Sequence, residues 1–478
     1  MERLLPNLST LTTVKAARNI IISSRRLGWY TPRSTVRFFA TNGSHHSSSN
    51  NKTLHSSVGM PLNILIIGAG VAGPALAIFL QKSDPNHKVT VIERFSSLRV
   101  AGQQIDIKNQ GVDVLKKMGI FDAIKKACVD ETGLEVIDSS GRRKALVGIN
   151  PAGQSRRTLT SEFEIMRGDM VKVLYDASIE QNEQAKQLGG KGGLTYEFGK
   201  EVTELTQTDN GVDVTFSDGQ KQNYDLVIAA DGQASRTRRM AFGKEANDEA
   251  FKSIGVHAAY YSIPRSEDEG TLARVYNAPG RRMLLTRTSG RPVTQVLLFT
   301  MADSDNLRKS YKESVEKQKE AFTETFKGAG WQTDRLLNSM KTTTDFWAHE
   351  LAQIRMKQLY KGRVALLGDA GYCPTPFTGM GTTGCLIGAY VLAGELARHN
   401  NDVPSALKAY DTVVRPGIDE IQKLPTELMG VFFPSSKLGV WILQNVIWAV
   451  SKIEPLTYRP KPEGDYAWRL PEYPELKL

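Results

Sequence analysis

Cysteine is scarce in this chain of 478 residues, which contains only Cys128, Cys373 and Cys385 and no C-x-x-C pair. Three widely spaced cysteines support neither a disulfide framework nor a cysteine-based zinc site, and they indicate a reducing compartment. Long apolar runs are also missing. The nearest, residues 438–450, is shorter than the ~18–20 residues that a membrane span requires and contains two amides. We therefore expect no membrane span and interpret this run as a packed or interfacial helix.

Acidic residues are almost absent from the first 60 positions. This segment contains six Arg, two Lys and ten Ser against a single acid, Glu2, so it carries most of the net charge of +10. The rest of the chain is close to neutral and shows no basic stripe with interleaved aromatic residues. This distribution argues against a partner made of nucleic acid.

The basic segment 1–60 has two interpretations. Four basic residues between positions 15 and 26 lie roughly on one helical face with apolar residues beside them, which is typical of a mitochondrial transit peptide. A Ser-rich disordered tail explains the segment equally well. We expect a mitochondrial location if the segment is a transit peptide, and a cytoplasmic location otherwise.

A glycine-rich turn is the most informative local motif. Residues 63–74 predict a buried strand that runs into this turn and then into a helix, and Gly68, Gly70 and Gly73 match the pattern G-x-G-x-x-G. Such glycines permit a tight turn, close approach to a pyrophosphate and close packing of helix on strand. A second apolar strand ends in Glu93, placed to bind a ribose hydroxyl pair. We predict a dinucleotide site here, and a turn without a ligand is the alternative.

Two further glycine-bearing motifs follow far along the chain. Asp231 and Gly232 end a predicted strand at 225–230. Gly368 and Asp369 end another, and a Pro- and Gly-rich loop then leads into a long helix of small residues predicted over 381–398. Open α/β sheets bind ligands at the carboxyl ends of their strands, so we expect the three motifs to share one site.

Together the three motifs resemble the flavoprotein monooxygenases of the para-hydroxybenzoate hydroxylase fold. The resemblance covers about residues 62–425 and is strongest to the tetracycline-inactivating flavin monooxygenases and their fungal relatives. It implies an α/β fold, in which a doubly wound Rossmann-type FAD-binding domain carries an inserted, mostly antiparallel β-sheet substrate domain and a C-terminal helical tail. The expected domains are the N-terminal segment 1–60, the FAD-binding domain 61–250 and 355–425, the substrate domain 251–354 and the tail 426–478. Part of the early region is expected on the substrate side.

The resemblance also implies roles for individual residues. Glu93 matches the acid that binds the adenosine ribose, Asp369 the acid that binds the ribityl chain, and Arg167 the Arg that opens a helix beside FAD. Arg99 and Asp106 match a nicotinamide-contacting Arg and a flavin-contacting Asp, although they fit a solvated loop cation and a helix cap as well. The complete set of expected FAD contacts is Gly68, Gly70, Gly73, Glu93, Arg94, Asp106, Arg167, Asp231, Gly232, Asp369, Gly379, Gly381 and Thr382.

Some positions differ from the wider family. Tyr372 stands where many relatives have His, and Gly388 stands where many have an acid. These changes leave no evident acid–base residue, so no catalytic side chain and no metal site is predicted. Tyr260, Tyr261 and Trp347 either line a substrate pocket or pack within the sheet.

The activity that the resemblance implies is FAD-dependent monooxygenation in secondary metabolism. NADPH or NADH would reduce the flavin, and a flavin hydroperoxide would deliver one atom of molecular oxygen to an aromatic or polyketide-like small molecule. The expected enzyme is a monomer or weak dimer. Alternatives are an FAD-dependent reductase or dehydrogenase and a non-catalytic FAD-binding protein. A flavin halogenase is disfavoured because the chain lacks the Trp-x-Trp-x-Ile-Pro segment of that class.

Overall fold

The computed structural model describes residues 59–147, 163–302, 304–425, 429–457, 467–476 and 478. The described residues all belong to the unit Gly59–Leu478. The predicted targeting segment therefore lies almost wholly outside the described residues, and its function stays a prediction.

Strands and helices alternate at the beginning of this unit and then give way to runs of strands. The strands are β1 Asn63–Ile67, β2 Lys88–Glu93, β3 Gln104–Ile107, β4 Gly133–Ile137, β5 Arg143–Val147, β6 Phe163–Met166, β7 Gly193–Phe198, β8 Val202–Gln207, β9 Val212–Phe216, β10 Lys221–Tyr224, β11 Leu226–Ala229, β12 Phe251–Pro264, β13 Leu272–Ala278, β14 Arg282–Arg287, β15 Val293–Thr300, β16 Phe346–Ile354, β17 Tyr360–Lys361 and β18 Val364–Leu366.

The helices lie between and after these strands. They are α1 Ala72–Ser83, α2 Gln110–Met118, α3 Phe121–Ala127, α4 Arg167–Gln187, α5 Arg236–Phe242, α6 Lys244–Ala250, α7 Ser304–Ser310, α8 Val315–Phe326, α9 Thr333–Thr342, α10 Asp369–Tyr372, α11 Gly381–Arg398, α12 Val403–Ile421, α13 Met429–Phe432 and α14 Lys437–Thr457. Single 3-10 turns occupy Pro376–Thr378 and Pro474–Leu476.

A six-stranded sheet in the order β17–β18–β11–β1–β2–β7 forms the nucleotide half. All of its neighbouring strands are parallel except β17 and β18. Strand β1 is almost continuously apolar because both faces of the sheet are covered. Its Ile64 and Ile66 pack with α1 and α11, whereas Leu65 and Ile67 pack with the antiparallel sheet β10–β9–β8. The doubly wound α/β fold expected from the motifs is confirmed.

The second large sheet has seven strands in the order β16–β12–β15–β14–β13–β4–β5, and all neighbours are antiparallel except β13 and β4. Strands β4 and β5 come from the early part of the chain. The helices α8 and α9 cover one face, where Tyr261, Phe322 and Leu336 share a core. The opposite face carries Tyr260 and Phe299.

One element differs from what its composition favours. The glycine- and lysine-rich run 183–193 is typical of a loop, but helix α4 extends to Gln187. Its Glu, Gln, Ala and Lys residues are good helix formers, so the helix continues until Gly189, which has φ +87°. By contrast, the predicted helix at 381–398 is confirmed with the same bounds.

The apolar run at 438–450 forms most of helix α14. Within the described part of the chain, no helix combines the length and hydrophobicity that crossing a membrane would require.

Candidate functional site

The glycine turn after β1 contacts the ends of two neighbouring strands, β2 and β11. The Gly68 amide donates to the carbonyl of Ile92 at 2.8 Å, which joins the end of β1 to that of β2. Gly68 has φ +114°, and a Cβ atom added there would lie 2.5 Å from the carbonyl oxygen of Ala230, just beyond β11. Only glycine allows this conformation together with such close backbone approach. The turn thus sits where β1, β2 and β11 end.

Glu93, the last residue of β2, points its carboxylate at this turn. One oxygen accepts from the Ala69 amide at 3.1 Å and the other from the Phe95 amide at 3.2 Å. Helix α1 begins at Ala72, so its positive end faces the same region. The guanidinium of the exposed Arg94 stacks over the Phe95 ring at 4.9 Å. The acid and the helix end are therefore placed for a ribose and a pyrophosphate.

Arg167 links this turn to the third motif. It is the first residue of α4, and one of its guanidinium nitrogens donates to the carbonyl of Ala101 at 3.3 Å. Burial lowers its pKa and so does Arg99, whereas Asp369 and Glu93 act in the opposite direction. Since guanidinium stays protonated in proteins, Arg167 supplies a fixed positive charge between two acids.

Asp369 opens the short helix α10 directly after β18. Burial raises the pKa of its carboxyl group, while Cys373 and Arg167 partly counteract that effect. Hydrogen-bond donors from a ligand would favour the charged carboxylate, as hydroxyl groups of a ribityl chain would do. The start of α11 is close by, because a Cβ added at Gly381 would lie 4.0 Å from an Asp369 carboxylate oxygen.

The loop before α11 packs on the residue pair Asp106 and Lys108, which forms an ion pair of 3.2 Å. Gly379 has φ +62°, and an added Cβ would lie 2.5 Å from both the Asp106 carboxylate and the Lys108 ammonium. Asp106 therefore faces the loop, and helix α2 begins without a side-chain cap. The Thr383 hydroxyl donates to the Lys108 carbonyl at 2.8 Å and accepts from the Lys108 amide at 3.2 Å. Neither Lys108 nor Thr383 was singled out from the sequence.

Lys108 had a signal in the sequence that could have been used. It lies two residues beyond Asp106 at the end of a strand, so both side chains point to the same face. Thr383 offered no such signal, because only the tertiary contact shows its role. The neighbouring Thr382 is buried in the first turn of α11.

Asp231 accepts hydrogen bonds from other residues of its own motif. Its carboxylate accepts from the Ser235 hydroxyl at 2.5 Å and from the Thr237 amide and hydroxyl at 3.1 and 2.9 Å. The buried Arg238, which sequence reasoning also missed, then donates to the carbonyls of Gln233 and Ala370 at 2.9 and 2.8 Å. Arg238 thereby connects the second motif to Ala370, the residue that follows Asp369.

Arg99 lies between two aromatic rings. Its guanidinium is 4.5 Å from the centre of the Trp347 ring and 5.2 Å from that of Phe95. Burial lowers its pKa, with Arg94 acting in the same direction. Such stacking holds a guanidinium in place while leaving its hydrogen-bond donors available. Arg99 is thus a half-buried cation, not a solvated loop residue.

The two tyrosines of β12 have different surroundings. Tyr261 packs among the helices, and its hydroxyl donates to the carbonyl of Leu336 at 3.1 Å, so it is a packing residue. Tyr260 lies on the opposite face with Phe299, and the two ring centres are 5.9 Å apart. Its buried hydroxyl has no hydrogen-bond partner among the described residues.

An apolar surface continues from Tyr260 to the loop before α11. The ring centre of Phe377 lies 5.5 Å from that of Phe299 and 6.4 Å from that of Phe433. Phe377 belongs to the 3-10 turn that ends at Gly379. We call Tyr260, Phe299, Phe377 and Phe433 the aromatic face. It adjoins the loop that packs on Asp106 and Lys108.

The residues present fit a flavin dinucleotide. Each of the three motifs includes a glycine that borders free space. A Cβ atom added at Gly70 would lie near only the Arg167 side chain, at 3.5 Å. A Cβ atom added at Gly232 would have no atom within 4 Å. At Gly381 the nearest atoms are 4.0 Å away. The glycine turns thus leave free space against the backbone, and the side chains of Glu93, Arg167 and Asp369 line that space.

Comparison with known proteins agrees with this geometry. The family model described as "FAD binding domain" matches residues 62–422. An FAD-dependent monooxygenase of Sarocladium schorii, asL6, is 40% identical over 423 residues, which cover 88% of this chain and all of the relative. The flavin-dependent monooxygenase eupH of a Phoma species is 34% identical, covering 87% of this chain and 97% of the relative.

Solved structures give the same result. The tetracycline destructase Tet(51) superimposes with a TM-score of 0.67 at 28% identity, covering 84% of this chain and the whole of the other. The HpxO protein of Klebsiella pneumoniae, solved with FAD, matches with a TM-score of 0.59 at 20% identity and so supports the fold alone. The chain therefore belongs to the FAD binding domain family, and it is an FAD-dependent monooxygenase.

Proposed function

We propose that the enzyme consumes NAD(P)H and inserts one oxygen atom into an aromatic or polyketide-like small molecule. The observation that carries this proposal is the aromatic face, which adjoins the loop at Gly379 where the flavin ring is expected. Tyr260, Phe299 and Phe433 are buried, so a flat aromatic substrate would stack on the partly exposed Phe377 at the edge of this face. The unpartnered, buried hydroxyl of Tyr260 offers a hydrogen bond to a phenol or enol oxygen.

The side chains around the site bind and orient the cofactor in this proposal. Glu93, Arg167 and Asp369 hold its adenosine, phosphate and ribityl parts. The Asp106–Lys108 pair, tied to α11 through Thr383, fixes the loop at the ring. FAD, when bound and reduced, supplies the activation of molecular oxygen.

Helix α11 contributes an electrostatic effect. It has 18 residues and begins at Gly381 without a side-chain cap, so its first amides remain free for a ligand. A reduced flavin is anionic, and the positive end of a helix stabilises such a charge.

The relatives support the substrate class. A tetracycline destructase acts, by its name, on tetracycline. Two fungal relatives are named FAD-dependent monooxygenases and so support the reaction class. The alternative is a reductase or dehydrogenase with the same cofactor. The two reactions differ in whether an oxygen atom enters the product.

An isotope experiment tests the reaction class. With NADPH, ¹⁸O-labelled molecular oxygen and a panel of phenols and enolised polyketides, we expect NADPH oxidation to rise with a substrate and the product to gain one labelled oxygen atom by mass spectrometry. Label taken up from water, or a product without added oxygen, would contradict monooxygenation and favour the reductase.

Arg99 is proposed as the contact for the anionic nicotinamide dinucleotide. Replacing it in the variant Arg99→Ala removes a charge held between Phe95 and Trp347, so we expect flavin reduction by NADPH in stopped-flow measurements to slow by about tenfold. The dissociation constant for FAD should be unchanged. Arg236→Ala removes an exposed arginine that pairs with Glu201 and serves as the control. Unchanged reduction in Arg99→Ala would show that its stacking is only structural.

A further inference from the structure

Helix α14 turns a stripe of large apolar side chains to the outside of the molecule. Leu438, Trp441 and Trp448 are 65%, 62% and 50% exposed. Their spacing of three and seven residues, with exposed Asn445 between the tryptophans, places them on one helical face. Isolated exposed apolar residues are ordinary, but two tryptophans and a leucine aligned on one helix are not.

The opposite face of α14 is fixed to the seven-stranded sheet. Val440 and Leu443 on that face are buried. Gln444, which helical periodicity places at the edge of the stripe, donates from its buried amide to the carbonyl of Ile137 at 3.1 Å. Turning the tryptophans inward would expose Val440 and Leu443 and break this hydrogen bond. The outward orientation of the stripe is therefore a property of the folded enzyme.

The segment 437–452 of this helix carries charge of one sign, and the acid of the helix, Glu454, lies beyond it. No Asp or Glu occurs between positions 437 and 452, whereas Lys437 and Lys452 stand at the two ends of that segment and are both exposed. Lys452 projects from the same side as Trp441 and Trp448 by helical periodicity. An apolar centre is thus flanked by two cations.

We propose that this outer stripe, comprising Lys437, Leu438, Trp441, Trp448 and Lys452, docks the enzyme on an anionic lipid bilayer. Tryptophan prefers the level of the lipid headgroups, and amphipathic helices lie in that plane with their apolar side chains inserted. The lysines pair with anionic headgroups. The helix lies on the membrane surface and does not cross it.

Charge favours a lipid surface over a second copy of the chain. If two stripes packed antiparallel about a twofold axis, Lys437 of each copy would approach Lys452 of the other, and the stripe itself contains no acid to pair with them. A phosphatidylserine surface provides the opposite charge along the whole stripe. The inference does not depend on the identity of the enzyme's substrate.

Quenching of tryptophan fluorescence by brominated acyl chains tests the proposal on the full-length FAD-bound enzyme. The vesicles consist of brominated phosphatidylcholine with phosphatidylserine. We expect the wild type to be quenched more than the double variant Trp441→Phe/Trp448→Phe, because the removed tryptophans are the ones that touch the chains. Equal quenching of both proteins would overturn the proposal. The basic segment 1–60 can add electrostatic binding, but it contributes equally to both proteins.

Sedimentation with the same vesicles gives the second measurement. The double variant Trp441→Ser/Trp448→Ser should partition about tenfold less onto vesicles, while its FAD content stays that of the wild type. Leu188→Ser, at a residue 86% exposed on another part of the surface, should bind as the wild type does. Lys437→Gln/Lys452→Gln should weaken binding only when phosphatidylserine is present. A concentration-dependent dimer that the Ser pair abolishes would instead assign the stripe to a second copy.

Discussion

Asp369→Ala is expected to yield a colourless protein. Its carboxylate lies beside the start of α11 and next to the fixed charge of Arg167, where it can accept hydrogen bonds from a ribityl chain. A charge-assisted hydrogen bond contributes about 1.5–3 kcal/mol, so the dissociation constant for FAD should rise by about ten- to a hundredfold. Fluorescence titration of the cofactor-free protein with FAD measures this change.

Two further variants define what this result means. Asp369→Asn keeps the size of the side chain and should retain part of the affinity. Asp402→Ala removes a carboxylate that caps helix α12, through a bond of 3.2 Å to the Ser405 amide, and should leave FAD binding unchanged. A yellow Asp369→Ala protein with unchanged affinity would mean that the carboxylate only shapes the turn after β18.

Gly73→Ala is expected to lower the stability of the protein, whereas Gly70→Ala is expected to weaken FAD binding. An added Cβ at Gly73 would overlap the carbonyl oxygen of Gly68 and approach the side chain of Ile66 at 3.3 Å. Because backbone cannot move aside as a flexible side chain can, we expect Gly73→Ala to lower the free energy of unfolding by about 3 kcal/mol. Urea denaturation of the cofactor-free protein measures this loss.

Gly70→Ala serves as the matched control for stability. Its added Cβ would meet only the flexible Arg167 side chain, at 3.5 Å, so the unfolding midpoint of the cofactor-free protein should stay near that of the wild type. Binding of FAD should nevertheless weaken, because the methyl group occupies the space where a pyrophosphate approaches the backbone. Equal stability of all three proteins would show that the helix–strand contact at Gly73 is looser than the structure indicates.

Local spacing was sufficient to predict the nucleotide half of the enzyme. The pattern at Gly68, Gly70 and Gly73 with Glu93 depends on one strand, one turn and one helix that are neighbours in the chain. Their geometry follows from backbone conformation and from periodicity, which the sequence displays directly. For the same reason, helix α11 was predicted with its observed bounds.

The helix boundaries and side-chain contacts that were not predicted depend on other parts of the chain. Helix α4 runs further than its glycine and lysine content indicated, because the end of a helix is a balance between propensity and packing. Tyr260 and Tyr261 are adjacent in a strand, so their side chains point to opposite faces. The packing of the whole sheet decided which face contacts helices α8 and α9 and which face contacts the loop before α11.

The sequence by itself predicted the fold class and the glycine turns at the strand ends, and the FAD contacts assigned to those turns stay predictions. The tertiary structure alone decided which residues meet across the chain. Thr383 bonds to Lys108 over a separation of 275 residues, and Asp106 lies against Gly379. It also turned Trp441 and Trp448 outward, because the buried Val440 and Leu443 fix the opposite face of α14. Such contacts carry no local signature, since they arise only when separate elements pack together.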